Sequence, residues 1–240
     1  MKITFKYLLS TLLLCLSIAS VAQEALVKKA VEDRIGNGLK VDSVLRSPVP
    51  GLFEVRIGTD VFYSDDKGQY LIRGQIQDLK TGKNYTQERL DGLALEAVFS
   101  PANKANALKM VKGNGKREIA VFEDANCGYC KKLRGELEKL TNVTVYTYLI
   151  PILAQDSETK MRGVWCAKDR NKSYDDWMMR GVTPASADER CNVPVEQNQS
   201  LAKNLRVTGT PAIFFSSGKR VPGYIDAAQI EQTLSAVASK

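Results

Sequence analysis

Apolar and polar positions change period several times along the chain, and each change marks an expected element. In residues 24–35, Leu26, Val27, Ala30, Val31 and Ile35 recur at helical spacing until Gly36-Asn37-Gly38 stops them, which predicts a short amphipathic helix. Residues 52–57, 60–64 and 69–76 alternate apolar with polar between turns at Gly58-Thr59 and Asp65-Asp66-Lys67-Gly68, the pattern of an antiparallel meander. Helical spacing returns in residues 86–99, with Leu90, Leu93, Ala94, Ala97 and Val98 on one side, and Ser100-Pro101 breaks it. A further amphipathic segment, residues 103–111, ends at Gly113-Asn114-Gly115.

The second half has the rhythm of an α/β unit. An apolar strand over 118–123 leads into Cys127-Gly128-Tyr129-Cys130, then a helix over 130–140 and a strand over 143–150 ended by Pro151. Strand, helix, strand implies a parallel crossover with the dithiol at the carboxyl end of the first strand. Residues 157–180 are helical in pattern and carry Cys166; a looser region holds Cys191. A helix over 194–205 leads into Val207-Thr208-Gly209-Thr210-Pro211, followed by strands over 212–216 and 220–222 and a closing helix over 226–238. The expected organisation is therefore a small domain over 23–85, a linker helix region over 86–112 and an α/β domain over 113–240, α+β overall. A small unit such as 23–85 has little core of its own and gains from a partner, its last strand being a place where two copies could pair edges.

Charge and cysteine usage add an address. Met-Lys-Ile-Thr-Phe-Lys, an apolar core over 7–18 and Ser20-Val21-Ala22 read as a secretory signal peptide, residues 1–22, with cleavage after Ala22. Leu14 before Cys15 speaks against a lipoprotein. Losing Lys2 and Lys6 lowers the formal charge from +7 to +5, spread without a dense basic cluster, which gives nucleic-acid binding little support. With Cys15 gone, Cys127, Cys130, Cys166 and Cys191 remain, an even number that suggests two pairs in an exported protein. Three pairings are possible; a Cys-x-x-Cys at a helix start pairs naturally with itself, which leaves Cys166 with Cys191.

Thiol exchange is the chemistry this pattern suits. A sulfur at the first turn of a helix meets N–H groups without intrahelical partners and the positive end of the helix dipole, which favour the thiolate. Cys127, nearer that end and more exposed, is expected to be the nucleophile and Cys130 the resolving thiol. The sequence has no histidine, so Cys–His catalysis and His-containing metal sites are excluded. A four-Cys zinc site has close spacing in only one half, and no cofactor or metal is expected. Cys166 and Cys191 are more simply a structural bridge than a second redox pair, since neither lies at a helix-start dithiol.

Cys-Gly-Tyr-Cys at 127–130, Trp-Cys-Ala-Lys-Asp at 165–169, Gly-Thr-Pro-Ala at 209–212 and Val-Pro-Gly-Tyr at 221–224 carry a resemblance. The segment from Glu118 onward resembles a thioredoxin-fold domain, and the chain beyond the signal peptide resembles the periplasmic disulfide isomerases of the DsbC type. That resemblance implies a V-shaped homodimer, with a cystatin-like N-terminal dimerisation domain, a linker helix and a C-terminal thioredoxin domain with a helical insertion. It implies a cis bond before Pro211, a Thr210 backbone able to pair with substrate, exported proteins with wrong disulfides as substrates, and a membrane reductant of the DsbD type as electron donor. Gly128 and Tyr129, between the sulfurs, and Thr210 and Pro211 opposite are the expected substrate contacts, Tyr129 in an exposed loop. Two rival functions stand beside isomerisation: a DsbG-type reductase of sulfenylated cysteines, and a chaperone whose cleft holds unfolded chains.

Of the remaining candidates, Asp124 is either a proton acceptor for Cys130 or a solvated loop charge, the plainer reading being the second. Lys131 either helps hold Cys127 as thiolate or is simply solvated. Trp165, Tyr174 and Trp177 read as packing for the inserted helices.

Overall fold

A computed structural model describes residues 21–36 and 38–238. The expected signal peptide lies outside the described residues except for its last two, and Cys15 lies outside them too. The chain divides into two compact units, Met1–Leu90 and Asp91–Lys240.

In the first unit, residues 21–35 form helix α1. It is followed by a four-stranded antiparallel meander, β1 (Ser43–Arg46), β2 (Leu52–Ile57), β3 (Asp60–Asp65) and β4 (Leu71–Ile72), paired in that order. Val27 and Val31 of α1 pack against Val41, Val44, Phe53 and Val55, so the helical period of α1 and the two-residue period of β2 meet in one core. Gly68 has to be glycine: its φ is +63°, and a Cβ there would come within 2.7 Å of the Ala30 Cβ. Two expectations change. β1 was not anticipated, since only Val44 of its four residues is buried and no alternation shows. The strand expected over 69–76 shortens to Leu71–Ile72, because the Asp65 carboxylate accepts from the amides of Gln69 and Tyr70 and curls the chain before it can pair.

Helix α2 (Tyr85–Val98) contains the boundary between the units. The second unit continues with α3 (Pro101–Lys104), β5 (Leu108–Lys112), β6 (Arg117–Glu123), α4 (Gly128–Leu137), β7 (Val143–Leu149), α5 (Ser157–Cys166), α6 (Arg170–Arg180), α7 (Val195–Asn204), β8 (Ala212–Phe215), β9 (Arg220–Pro222) and α8 (Ala227–Ala238). Its five-stranded sheet has the order β5-β7-β6-β8-β9, with β6 and β7 parallel and the other pairs antiparallel. Both faces are covered. Ala120 and Phe122 join Val98, Tyr148, Leu201 and Phe214 on one side, while Ile119 and Val121 join Leu133, Leu137, Ile213 and Ile230 on the other. Phe122 stacks on Tyr148 with ring centroids 5.0 Å apart, an aromatic contact of about 1 kcal/mol beyond burial.

The segment 103–111 is not a single amphipathic element. The helix ends at Lys104, and residues 108–112 are an edge strand antiparallel to β7, pairing Leu108 with Thr147. Leu108 and Met110 face inward and Lys109 and Val111 outward, a period of two too short to separate from helical spacing. Residues 157–180 are two helices, parted where Ala167 is extended and the Asp169 carboxylate caps α6 by accepting from Lys172 N–H.

Candidate active site

β6 ends at Glu123, and four residues later α4 starts with Cys127 as its N-cap. The Cys130 amide donates to Cys127 Sγ at 3.2 Å, an orphan helix donor meeting the sulfur. Both cysteines are free thiols, and both are buried, Cys127 at 4% exposure and Cys130 at 0%. Cys127 is the more exposed of the two, but only just: it belongs to a buried cluster with Leu149, Met161, Trp165 and Tyr174, to which the inserted helices α5 and α6 contribute.

The loop before β8 reaches the same sulfur. Cys127 Sγ–H donates to the Thr210 carbonyl at 3.3 Å, and the Thr210–Pro211 bond is cis. Tyr129 lies in the first turn of α4 rather than in a loop. It is 60% exposed, with the Lys132 ammonium 5.2 Å from its ring centre. Gly128 is exposed, and a Cβ there would meet nothing within 4 Å. Beyond the Thr208–Pro211 loop lie two depressions. One, of about 290 Å³, is lined by Thr210, Pro211, Arg220 and Pro222; the other, of about 570 Å³, by Ile150, Ile152, Ala202, Lys203 and Val207.

Asp124 is neither of the things expected of it. Its carboxylate is buried and accepts from the amides of Asn126, Ile152 and Leu153 and from the Ser157 hydroxyl, at 2.7 to 2.9 Å. All its accepting capacity goes into tying the segment before Cys127 to the one after β7, so it is not a solvated charge. Lys131 lies with its ammonium 4.4 Å from the Trp177 ring centre, and Lys160 is 4.3 Å from the same ring.

The group that sequence reasoning missed is Glu123. It follows Ile119 and Val121 at the strand period of two, on the face that α4 covers, so its burial was legible in principle. It is 0% exposed. The Tyr174 hydroxyl donates to its Oε2 at 2.8 Å, and Oε1 has no partner. Arg134, one helical turn beyond Cys130 and also buried, does not pair with it; its Nε donates to Asp175 Oδ1 at 2.6 Å. Burial therefore pushes the Glu123 carboxyl up to about 7, against the opposing pull of the Arg134 charge and the Tyr174 hydrogen bond. Cys130 is pushed far up from its ordinary value, by burial first and by the Glu123 charge next.

Cys166 and Cys191 form a disulfide across 25 residues. It packs against the cluster that holds both active thiols, and Trp165 beside it donates its indole N–H to the Asn192 carbonyl at 3.1 Å. Among the described residues no helix is long and apolar enough to cross a membrane.

Comparison with known proteins agrees with this arrangement. Residues 104–238 match the thioredoxin-like domain family, and residues 18–87 match the disulfide bond isomerase protein N-terminal domain. The chain is 47% identical over 208 residues to the Bordetella parapertussis protein named "Probable thiol:disulfide interchange protein DsbC", covering 85% of this chain and 73% of that one. It is 32% identical over 229 residues to the thiol:disulfide interchange protein DsbC of Escherichia coli K12, covering 91% and 90%. A solved disulfide interchange protein from Neisseria gonorrhoeae superposes with a TM-score of 0.52 at 38% identity, over 55% of this chain and 96% of that one. With a DsbC-type N-terminal domain, a thioredoxin-like domain and these relatives, the chain belongs to the DsbC family of thiol:disulfide interchange proteins.

Proposed function

We propose that the protein is a thiol:disulfide isomerase of the periplasm, working on exported proteins with wrong disulfides through a mixed disulfide at Cys127. The observation that carries the reading is the convergence on one sulfur: Cys127 at the N-cap of α4, the Cys130 amide on it, and the Thr210 carbonyl facing it from the opposite loop. The Cys127 thiolate attacks one sulfur of a substrate disulfide; that S–S bond breaks, a Cys127–substrate disulfide forms, and the other substrate sulfur leaves as thiolate. That thiolate attacks another bridge in the same substrate, and the last exchange returns Cys127 with no net oxidation. If rearrangement stalls, Cys130 attacks Cys127, the substrate leaves reduced, and the enzyme is left as the Cys127–Cys130 disulfide. A membrane thiol reductant of the DsbD type then restores the dithiol.

Substrate meets Thr210 and Pro211 through the backbone, and Gly128 and Tyr129 through the exposed first turn. The depressions beyond the loop support an extended chain running past it. Homodimerisation through the first unit is part of the proposal, since Tyr70, Leu71 and Ile72 at the β4 edge are exposed at 68%, 42% and 45%. Chaperone-like holding of unfolded chains in the dimer cleft is the finer part of the same reading.

The test is refolding of a scrambled multi-disulfide protein beside reduction of a sulfenylated one. Isomerase action predicts rescue of the first that Cys127→Ser abolishes, with Cys130→Ser accumulating the mixed disulfide. Faster turnover of the sulfenylated substrate would assign the reductase role instead, and aggregation suppression as the sole activity would assign the chaperone role. A sedimentation mass of one chain at micromolar concentration would remove the dimer.

A further inference from the structure

An isomerase has to hold its mixed disulfide long enough for the substrate to rearrange, so whatever sets the timing of Cys130 decides between isomerisation and reduction. Cys130 and Glu123 are both fully buried, one at the third position of α4 and the other at the end of the strand beneath it. Glu123 keeps one oxygen on the Tyr174 hydroxyl and leaves the other without a partner. The nearby cation is committed elsewhere, since Arg134 makes its ion pair with Asp175. The groups acting on Glu123 are Arg134 from α4 and Tyr174 and Asp175 from α6, Glu123 in turn acts on Cys130 of α4, and its register partner on β7 is the apolar Leu149. A carboxylate so placed opposes a second negative charge at Cys130, and Cys130 must become a thiolate before it can attack.

We infer that Glu123 is a positioning residue acting through Cys130: its buried carboxylate is a brake on resolution, prolonging the Cys127–substrate disulfide so that rearrangement outruns reductive release. The inference deepens the isomerase reading and rests on it. The braked step is the loss of the Cys130 proton to solvent and attack of the thiolate on Cys127 Sγ. The Cys127–substrate bond breaks, the Cys127–Cys130 bond forms, and the substrate thiolate leaves and takes up a proton; the substrate gains the two electrons the dithiol gives up. Since Glu123 ionises near neutrality, the brake engages as pH rises through about 7.

The experiment follows the lifetime of the mixed disulfide between Cys127 and a neutral disulfide-linked cysteine peptide, by acid quench and mass spectrometry, in the full chain across that pH range. Glu123→Gln should release the peptide about threefold faster than the wild type above neutrality for each unit by which Cys130 becomes more acidic, part of the gain being offset by its lower nucleophilicity. Below Glu123's titration the two rates should coincide. Tyr174→Phe removes the donor that favours the carboxylate and should move the point of divergence to higher pH. Equal rates at every pH would overturn the brake. Slower release from Glu123→Gln would overturn it too, and would make the carboxylate a proton acceptor. Cys130→Ser separates the two layers: a stable Cys127–peptide adduct in that variant keeps the isomerase reading even if the brake fails, and no adduct removes both.

Discussion

The Cys127 thiol donates to the Thr210 carbonyl at 3.3 Å although 83 residues separate them, so the backbone of one loop and the side chain of another make the working contact. The Thr210 side chain takes no part. Its Oγ1 is buried and has no hydrogen-bond partner. Thr210→Val removes an unsatisfied hydroxyl and leaves the carbonyl in place, so stability should stay within about 0.5 kcal/mol of the wild type or rise. Reactivity of Cys127 toward a disulfide peptide should be unchanged. A large loss of either, by urea unfolding or by peptide reaction, would assign the hydroxyl a role.

Glu123 gives stability a pH dependence of definite sign. Its carboxyl ionises near 4.5 in the open chain and near 7 when folded. Between those values the folded protein holds a proton that the unfolded chain has released, so this group lowers stability as pH rises through the window and no further above it. The loss is on the order of 3 kcal/mol. Glu123→Gln should therefore be more stable than the wild type near pH 8, and equal to it near pH 4, by urea unfolding at both. Taking the difference between the two proteins cancels the other carboxylates. A difference that grows toward low pH would reverse the assignment.

The second unit was largely legible because its chemistry is local: Cys127 and Cys130 lie at a strand-to-helix junction, and Pro211 immediately precedes β8. What escaped were features set by partners distant in sequence. β5 looks like amphipathic helix until Thr147 pairs with Leu108. Asp124 reads as a loop charge until Ile152, Leu153 and Ser157 close around it. How nearly buried Cys127 is depends on the residues of α5 and α6 that share its cluster. Glu123 could have been found from the alternation of β6; what alternation could not supply was the hydroxyl of Tyr174, 51 residues away.

Asp124 should be the most costly polar side chain near the thiols to remove. Asp124→Ala strips the acceptor from three amides and the Ser157 hydroxyl in a buried loop, with an expected loss of about 3 kcal/mol or more. Asp124→Asn keeps the shape and one accepting oxygen and should lose roughly half as much. Urea unfolding of both variants checks the order. If Asp124→Ala were as stable as the wild type, the carboxylate would not be what joins the two loops.

The Cys166–Cys191 disulfide closes a stretch of 25 residues that includes all of α6. In the chain-entropy account such a closure stabilises by about 3 kcal/mol, mainly by restricting the unfolded chain. Cys166→Ala/Cys191→Ala should lose that amount in urea unfolding. Because the bridge packs on the cluster containing Cys127 and Cys130, the loss should also appear locally, as faster alkylation of Cys130 in the folded protein. The exchange chemistry itself uses neither sulfur, so the double variant should still form a mixed disulfide at Cys127 under conditions where it stays folded. Failure to form that adduct in a folded double variant would mean that the second pair takes part in electron exchange, and the bridge would then have to be counted with the reacting thiols.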